Sequence, residues 1–262
     1  VDWLFQTEEF NTLKLSFKER FLRKENLGKI ARLEREAYAA LSGMIVCGWD
    51  DKIFLEEKLG DADKVFVLAN GYKAEFFDAE AYPRQLTDSP TVLFCGALDY
   101  SPNVDAMDWF ADSIWPKIHQ EIPEAVLRIV GKSPDARSER WAAIDGIELV
   151  GEVPDVRPYY QSSWSQVVPL RIGGGTRLKI VESLGMCCPV VSTTLGAQGL
   201  DLENEKDILL ADTETGMADA VVRLLNDEEL RLSLEAVGLV TVRSNYLWEQ
   251  LGAKLNQYLT KL

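Results

Sequence analysis

At 262 residues the chain is long enough to bury a sizeable core, as one large domain or two smaller ones. Hydrophobic residues make up 47% and charged residues 27%, the composition of a globular protein rather than a disordered or fibrous one. The net charge of −14 argues against general binding to nucleic acid or to an anionic membrane, so a phosphate-bearing ligand would need a local group of cations.

Residues 7 to 41 carry Phe21, Leu22, Leu27, Ile30, Leu33 and Ala37 near helical spacing, which predicts two amphipathic helices broken near Gly28. Their Lys and Arg are balanced by Glu, as on a solvated face. Met44 to Cys47 reads as a buried strand, Asp51 to Leu59 as a helix and Val65 to Leu68 as a second strand, closed by an Asn70-Gly71 turn. Asp78 to Pro90 has the composition of a linker. From Thr91 onward apolar runs alternate with helical patterns: Val92 to Cys95, Val104 to Ile118, Val126 to Val130, Glu139 to Ile144, Ile147 to Val150, Val156 to Gln161 and Gln166 to Leu170. Such alternation predicts βαβ units, hence an α/β fold with a doubly wound parallel sheet. Ligands of such sheets bind beyond the carboxyl ends of the strands, where Gly96, Gly131 and Gly151 stand. Ile208 to Ala211 reads as the last strand, Gly216 to Leu225 and Glu228 to Val237 as helices, and Tyr246 to Leu262 as a terminal amphipathic helix.

The chain is organised around Arg171 to Thr194, where a strand leads through Gly173, Gly174 and Gly175 into a helix and a further strand, Pro189 to Thr193. Glycines let the backbone take positive φ and let a ligand approach peptide N–H groups. At a helix start those N–H groups and the dipole favour an anion. Arg177 and Lys179 occupy the first turn, where the dipole alone prefers acidic residues, and that misfit suggests a bound phosphate. Glu182 shares a helical stripe with Gly175 and Lys179 and leans toward the loop, as a carboxylate for ribose hydroxyls would. The competing reading is a tight turn whose glycines serve packing, with Lys179 and Glu182 as a surface pair. The loop is neither a Walker A site nor G-x-G-x-x-G.

The single histidine, His119, lies late in a helix beside Gln120 and Glu121, where a solvated role outweighs a catalytic one. Trp109, Phe110, Ile114 and Trp115 read as core, and Lys132, Ser133 and Asp155 as loop residues of weak signal. Cys47, Cys95, Cys187 and Cys188 have no metal spacing and read as free thiols of a reducing compartment. No apolar run reaches the roughly 20 residues of a membrane span. The expected location is cytoplasmic, at most peripheral at the inner membrane face. A start at Val1 rather than Met suggests a fragment or a processed product.

Arg171 to Thr194, together with Leu93 to Asn103 (LFCGALDYSPN) and Gly151 to Asp155 (GEVPD), resembles the donor-binding domain of family 4 glycosyltransferases of the GT-B fold, over roughly Thr91 to Asp227. The resemblance implies an incomplete acceptor-side Rossmann-like domain over 1–85, a nucleotide-sugar donor domain over 86–245 and a terminal helix, 246–262, crossing back to the first. It implies retaining transfer of a sugar from a nucleotide-sugar co-substrate, without cofactor or metal, to an unknown glycan, lipid or small-molecule acceptor. Arg177 and Lys179 would be catalytic, neutralising the leaving diphosphate. Gly96, Asn103, Gly131, Gly173, Gly174, Gly175, Thr176 and Glu182 would bind the donor. Two departures stand out: the first Glu of the family's Glu-x7-Glu motif falls at Gly174, and Ala97 and Asn103 stand where a basic pair is common. Alternatives are an epimerase or phosphorylase of the same architecture, or a non-catalytic nucleotide-sugar-binding fragment that self-associates or takes a partner chain completing the first domain.

Overall fold

A computed structural model describes Thr7 and residues 16–60, 63–132, 136–173 and 176–261. Gly174, Gly175 and Ser133 lie outside the described residues.

A helix, α1 (Phe17–Ala40), precedes a small unit of β1 (Met44–Val46), α2 (Trp49–Leu59) and β2 (Val65–Val67). The expected break near Gly28 does not occur, and α1 runs through it. A glycine in a helix interior costs only about 1 kcal/mol against alanine. That cost is opposed by the Ser16/Glu19 capping box and by the i,i+4 pairs Glu25–Lys29 and Arg32–Glu36. β1 and β2 pair in parallel, and Val46, Val65 and Leu55 of α2 form their core.

The main body contains β3 (Thr91–Cys95), α3 (Ser101–Trp109), a π-helical segment (Phe110–Ile114), α4 (Trp115–Glu121), β4 (Val126–Val130), α5 (Ala136–Ala142), β5 (Ile147–Gly151), α6 (Arg157–Ser162), β6 (Ser165–Val168), α7 (Leu178–Gly185), β7 (Val190–Ser192), β8 (Leu209–Leu210), α8 (Glu214–Asn226), α9 (Glu228–Asn245) and α10 (Trp248–Leu259). The long helix expected over Val104 to Ile118 widens into the π segment just before Pro116. Proline has no N–H and its ring clashes with the carbonyl four residues back, and a π turn accommodates both.

The six strands of this sheet are all parallel in the order β5-β4-β3-β6-β7-β8. β3 starts in the middle, the chain winds outward to β5, then returns beside β3 with β6 and winds the other way. This is the doubly wound arrangement, with its switch point between β3 and β6. Side chains alternate between the faces. Val92, Phe94, Leu127, Ile129 and Val167 pack with Phe110, Ile114 and Trp115, and with Val221 and Leu224 of α8. On the other face Leu93 and Val130 meet Tyr160 of α6, and Val168 and Val190 meet Ile180, Val181 and Leu184 of α7.

Residues 78–90 contain no helix or strand but are strapped to α6. Gln85 and Thr87 donate backbone N–H bonds to the carbonyls of Gln161 and Ser162, and Arg84 bonds the Tyr160 carbonyl and Glu235. α10 reaches the β1–β2 unit, where Tyr258 stacks on Phe66 with centroids 4.4 Å apart and donates to the Lys64 carbonyl at 2.7 Å.

Candidate functional site

The loops after β3 and β6 meet at the switch point because the topology places those two strands side by side. Gly96 follows β3, and its N–H bonds the Val130 carbonyl. A Cβ at Gly96 would stand 2.7 Å from Lys179 Nζ and 2.8 Å from Asn103 Nδ2, so only glycine leaves room for the pair. Gly131, at the end of β4, is more constrained still: its Cβ would lie 1.7 Å from the Gly96 carbonyl oxygen. The two glycines therefore stack backbone on backbone beneath the site, a close-approach role rather than one of turn geometry.

Lys179 lies in the first turn of α7, over the ring of Phe94 at 4.9 Å, and donates a 2.9 Å hydrogen bond to Asn103 Oδ1. It is therefore not half of a surface pair. Burial brings its ammonium down from an ordinary value near 10.5 to about 8. The neighbouring Arg177 charge pushes in the same direction, while Cys95 and Glu182 oppose it. Glu182, one turn on, is half-buried, and burial raises its carboxyl, opposed by the Lys179 charge. Beneath them the Tyr160 phenol and the Cys95 thiol are both pushed up by burial. The low-dielectric floor explains all four directions: each group's charged form is disfavoured.

Arg177 is 8% exposed and donates through Nη2 to the Gly173 carbonyl at 2.7 Å. Gly173 has φ +112°, outside what an L side chain accepts, and its α-carbon faces Pro102 of α3. Arg177 thus clasps the glycine loop from beneath. Thr176, expected to touch the donor, spans to the first unit. Its hydroxyl donates to the Cys47 carbonyl at 3.1 Å and accepts from the Asn70 N–H at 3.5 Å, at the ends of β1 and β2.

Gly96, Asn103, Gly173, Arg177, Lys179 and Glu182 are thus gathered at one end of the sheet. Gly131 packs against the Gly96 carbonyl next to them, and Gly174 and Gly175 fall outside the described residues. Arg171, two residues before Gly173, pairs with Asp105 of α3 at 2.7 Å and lies over the Trp109 ring. Asp155 is committed to Arg157 at 2.7 Å. His119 stacks on Trp115 and faces Asp145, just before β5 and so at the amino end of the strands, opposite the site.

Nothing in the residue pattern signals a cavity of about 670 Å³ that lies beyond β7 and β8. It is walled by Leu195, Leu200 and Leu202 of the loop after β7 and by Leu210, with Asp212 at the end of β8 and Trp49 and Asp50 of α2 across from them. Asp212 holds that loop by accepting from the Thr194 N–H and hydroxyl, both at 2.7 Å. Among the described residues no three His, Cys, Asp or Glu side chains are gathered as a metal ion would need. No described helix is long and apolar enough to cross a membrane.

Comparison with solved structures gives the same fold. Sucrose-phosphate synthase from Thermosynechococcus elongatus superposes with a TM-score of 0.75 at 19% identity, over 98% of this chain and 65% of that one. Anabaena Alr3699/HepE in complex with UDP gives 0.72 at 13%, over 88% and 67%. A point mutant of S. aureus TarM in complex with Fondaparinux, alpha-GlcNAc-glycerol and UDP gives 0.69 at 15%, over 94% and 48%. The architecture is that of GT-B glycosyltransferases. An uncharacterized 44.6 kDa protein in the cps region of Klebsiella pneumoniae is 25% identical over 139 residues, 50% of this chain and 36% of its own length. The chain thus spans about half of TarM, and its match spans about a third of the Klebsiella protein. Residues 89–227, more than half of the chain and including every residue gathered at the switch point, match the family model of glycosyl transferases group 1, and the chain belongs to that family.

Proposed function

We propose that this chain binds a nucleotide-sugar at the β3/β6 switch point and serves retaining transfer of the sugar to an acceptor, as a family 4 member of the GT-B glycosyltransferases. The observation that carries the reading is Lys179: a buried ammonium at the start of a helix, where a cation meets the positive dipole end and its hydrogen bond goes to a neutral amide rather than a carboxylate. Such a group is costly unless an anion joins it.

In this reading the diphosphate lies on the glycine loop. Lys179 and the positive dipole end of α7 take up the negative charge that grows on the leaving phosphate, a preorganised electrostatic contribution. Arg177 shapes the loop through Gly173 and adds its charge from beneath. Glu182 receives the ribose hydroxyls. A uridine nucleotide is the first donor to try, because the Alr3699/HepE and TarM structures are complexes with UDP.

The test is calorimetry with UDP, followed by transfer from UDP-sugars to candidate glycan, lipid and small-molecule acceptors. Binding without turnover would leave the donor site standing and limit the chain to holding the donor. Absence of binding by UDP, ADP and GDP alike would end the reading.

A further inference from the structure

We propose that Asn103 is a positioning residue, which holds the Lys179 ammonium at the phosphate locus, and that Gly96 is a glycine because this clasp fills the space a side chain would need. The inference deepens the proposed function and rests on it.

Asn103 is 6% exposed, in the first turn of α3. Its amide is committed at both ends: Nδ2 donates to the Ala97 carbonyl at 2.8 Å and Oδ1 accepts from Lys179 Nζ at 2.9 Å. Fixing Nδ2 on a backbone carbonyl sets which way the amide faces, so the oxygen is turned to the lysine. An asparagine so engaged has little left to offer a ligand directly. The lysine, with three donors, has spent one on Asn103 and keeps the others for an anion. A neutral acceptor suits this task better than a carboxylate, which would satisfy the ammonium and repel a diphosphate. The contacts run on downward. Gly96 lies against both partners, and Gly131 lies against the Gly96 carbonyl, so the strand ends of β3 and β4 pack directly under the clasp.

The groups facing Lys179 are Cys95 and the Phe94 ring on β3, Arg177 before α7, Glu182 on α7 and Asn103 on α3; Tyr160 of α6 lies beyond Cys95. Removing the amide acceptor takes away a hydrogen bond that is stronger from the charged lysine than from the neutral amine, which moves its titration lower. Nucleotide affinity then begins to fall at lower pH as well as weakening overall.

The experiment is calorimetric titration of UDP from pH 7 to 8.5, where a phosphate whose second ionisation lies near 6 no longer changes charge and the uracil imide is still protonated. Wild type, Asn103→Ala, Asn103→Asp and Lys179→Met are compared, each also in a Cys95→Ala background that removes the thiol's own titration. Asn103→Ala is expected to weaken binding about tenfold at pH 7, the loss of one charge-assisted contact. Its alkaline fall in affinity is expected to begin at lower pH than in wild type. Asn103→Asp is expected to bind more weakly than Asn103→Ala although it keeps the side-chain shape. Lys179→Met is expected to lose both affinity and the alkaline fall. If Lys179→Met loses them while Asn103→Ala keeps the wild-type pH profile, the positioning role is overturned and the donor site stands. If Lys179→Met binds like wild type, the phosphate role of the lysine is overturned, and with it this inference. A wild type that binds no UDP overturns the proposal at its root.

Discussion

Lys179 concentrates two opposed demands at one atom. Its ammonium is buried, so in the folded chain it titrates near 8, below its ordinary value near 10.5. A folded pKa below the unfolded one means that the unfolded chain binds more protons in that window. Stability therefore rises with pH from about 8 to 10.5 as the penalty is relieved. Lys179→Met is expected to raise the Tm of the free protein at pH 7, a gain of about 1–2 kcal/mol, with the gap to wild type closing toward pH 10. The same change is expected to weaken UDP binding by about 10- to 100-fold. Differential scanning calorimetry across that range, beside calorimetric binding, reads both. A gap that stays constant with pH would show that the lysine is not desolvated as described. Glu182 carries the companion prediction: Glu182→Gln is expected to abolish any preference for UDP over 2′-deoxy-UDP, and equal binding of both by wild type would refute the ribose role.

Among the elements, glycine has opposite meanings in different settings. In the exposed interior of α1, a Cβ at Gly28 meets nothing, and Gly28→Ala is expected to stabilise the protein by about 0.5–1 kcal/mol in chemical denaturation. At Gly131 the added Cβ strikes the Gly96 carbonyl oxygen at 1.7 Å, backbone against backbone. Gly131→Ala is expected to cost more than about 3 kcal/mol or to move the β3 and β4 ends apart, with loss of UDP binding. A Gly131→Ala variant as stable and as tight as wild type would refute the stacked-strand account. The π segment belongs to the same scale, since Pro116 imposes it locally while Phe110, Ile114 and Trp115 stay fully buried around it.

For the molecule as a whole, the contacts that join the β1–β2 unit to the main body each have a chemical identity. Thr176 links the glycine loop to Cys47 and Asn70, Tyr72 N–H bonds the Tyr246 carbonyl, and α10 brings Tyr258 onto Phe66. A two-stranded sheet has little independent stability, so these contacts support it. Tyr258→Ala removes both the stacking and the bond to Lys64. Hydrogen exchange is expected to accelerate by at least about tenfold at Met44–Val46 and Val65–Val67, with β3, β4 and β6 unchanged. Uniform acceleration throughout would mean that the unit is not a separate cooperative element.

Hydrophobic period and glycine placement make the α/β class, the strands from Thr91 onward and the importance of Arg171 to Thr194 legible in the chain itself. These are local properties: a strand buried on both faces must read as an apolar run, and a phosphate-type loop must be free of side chains. The misfit of Lys179 at a helix start is equally local, and it singles out the lysine that the proposed donor site relies on. What surrounds that lysine is not written beside it. Asn103 lies 76 positions away, and only the adjacency of β3 and β6 brings its amide to Nζ. Nor can spacing reveal that the Thr176 hydroxyl bonds the first unit, or that Gly131 packs against the Gly96 carbonyl. α1 runs unbroken where a break is expected, because a single glycine looks the same whether neighbouring ion pairs and a capping box outweigh it or not. Local chemistry is written along the chain, but which groups face one another depends on strand order, and that order is set by packing between segments far apart in sequence.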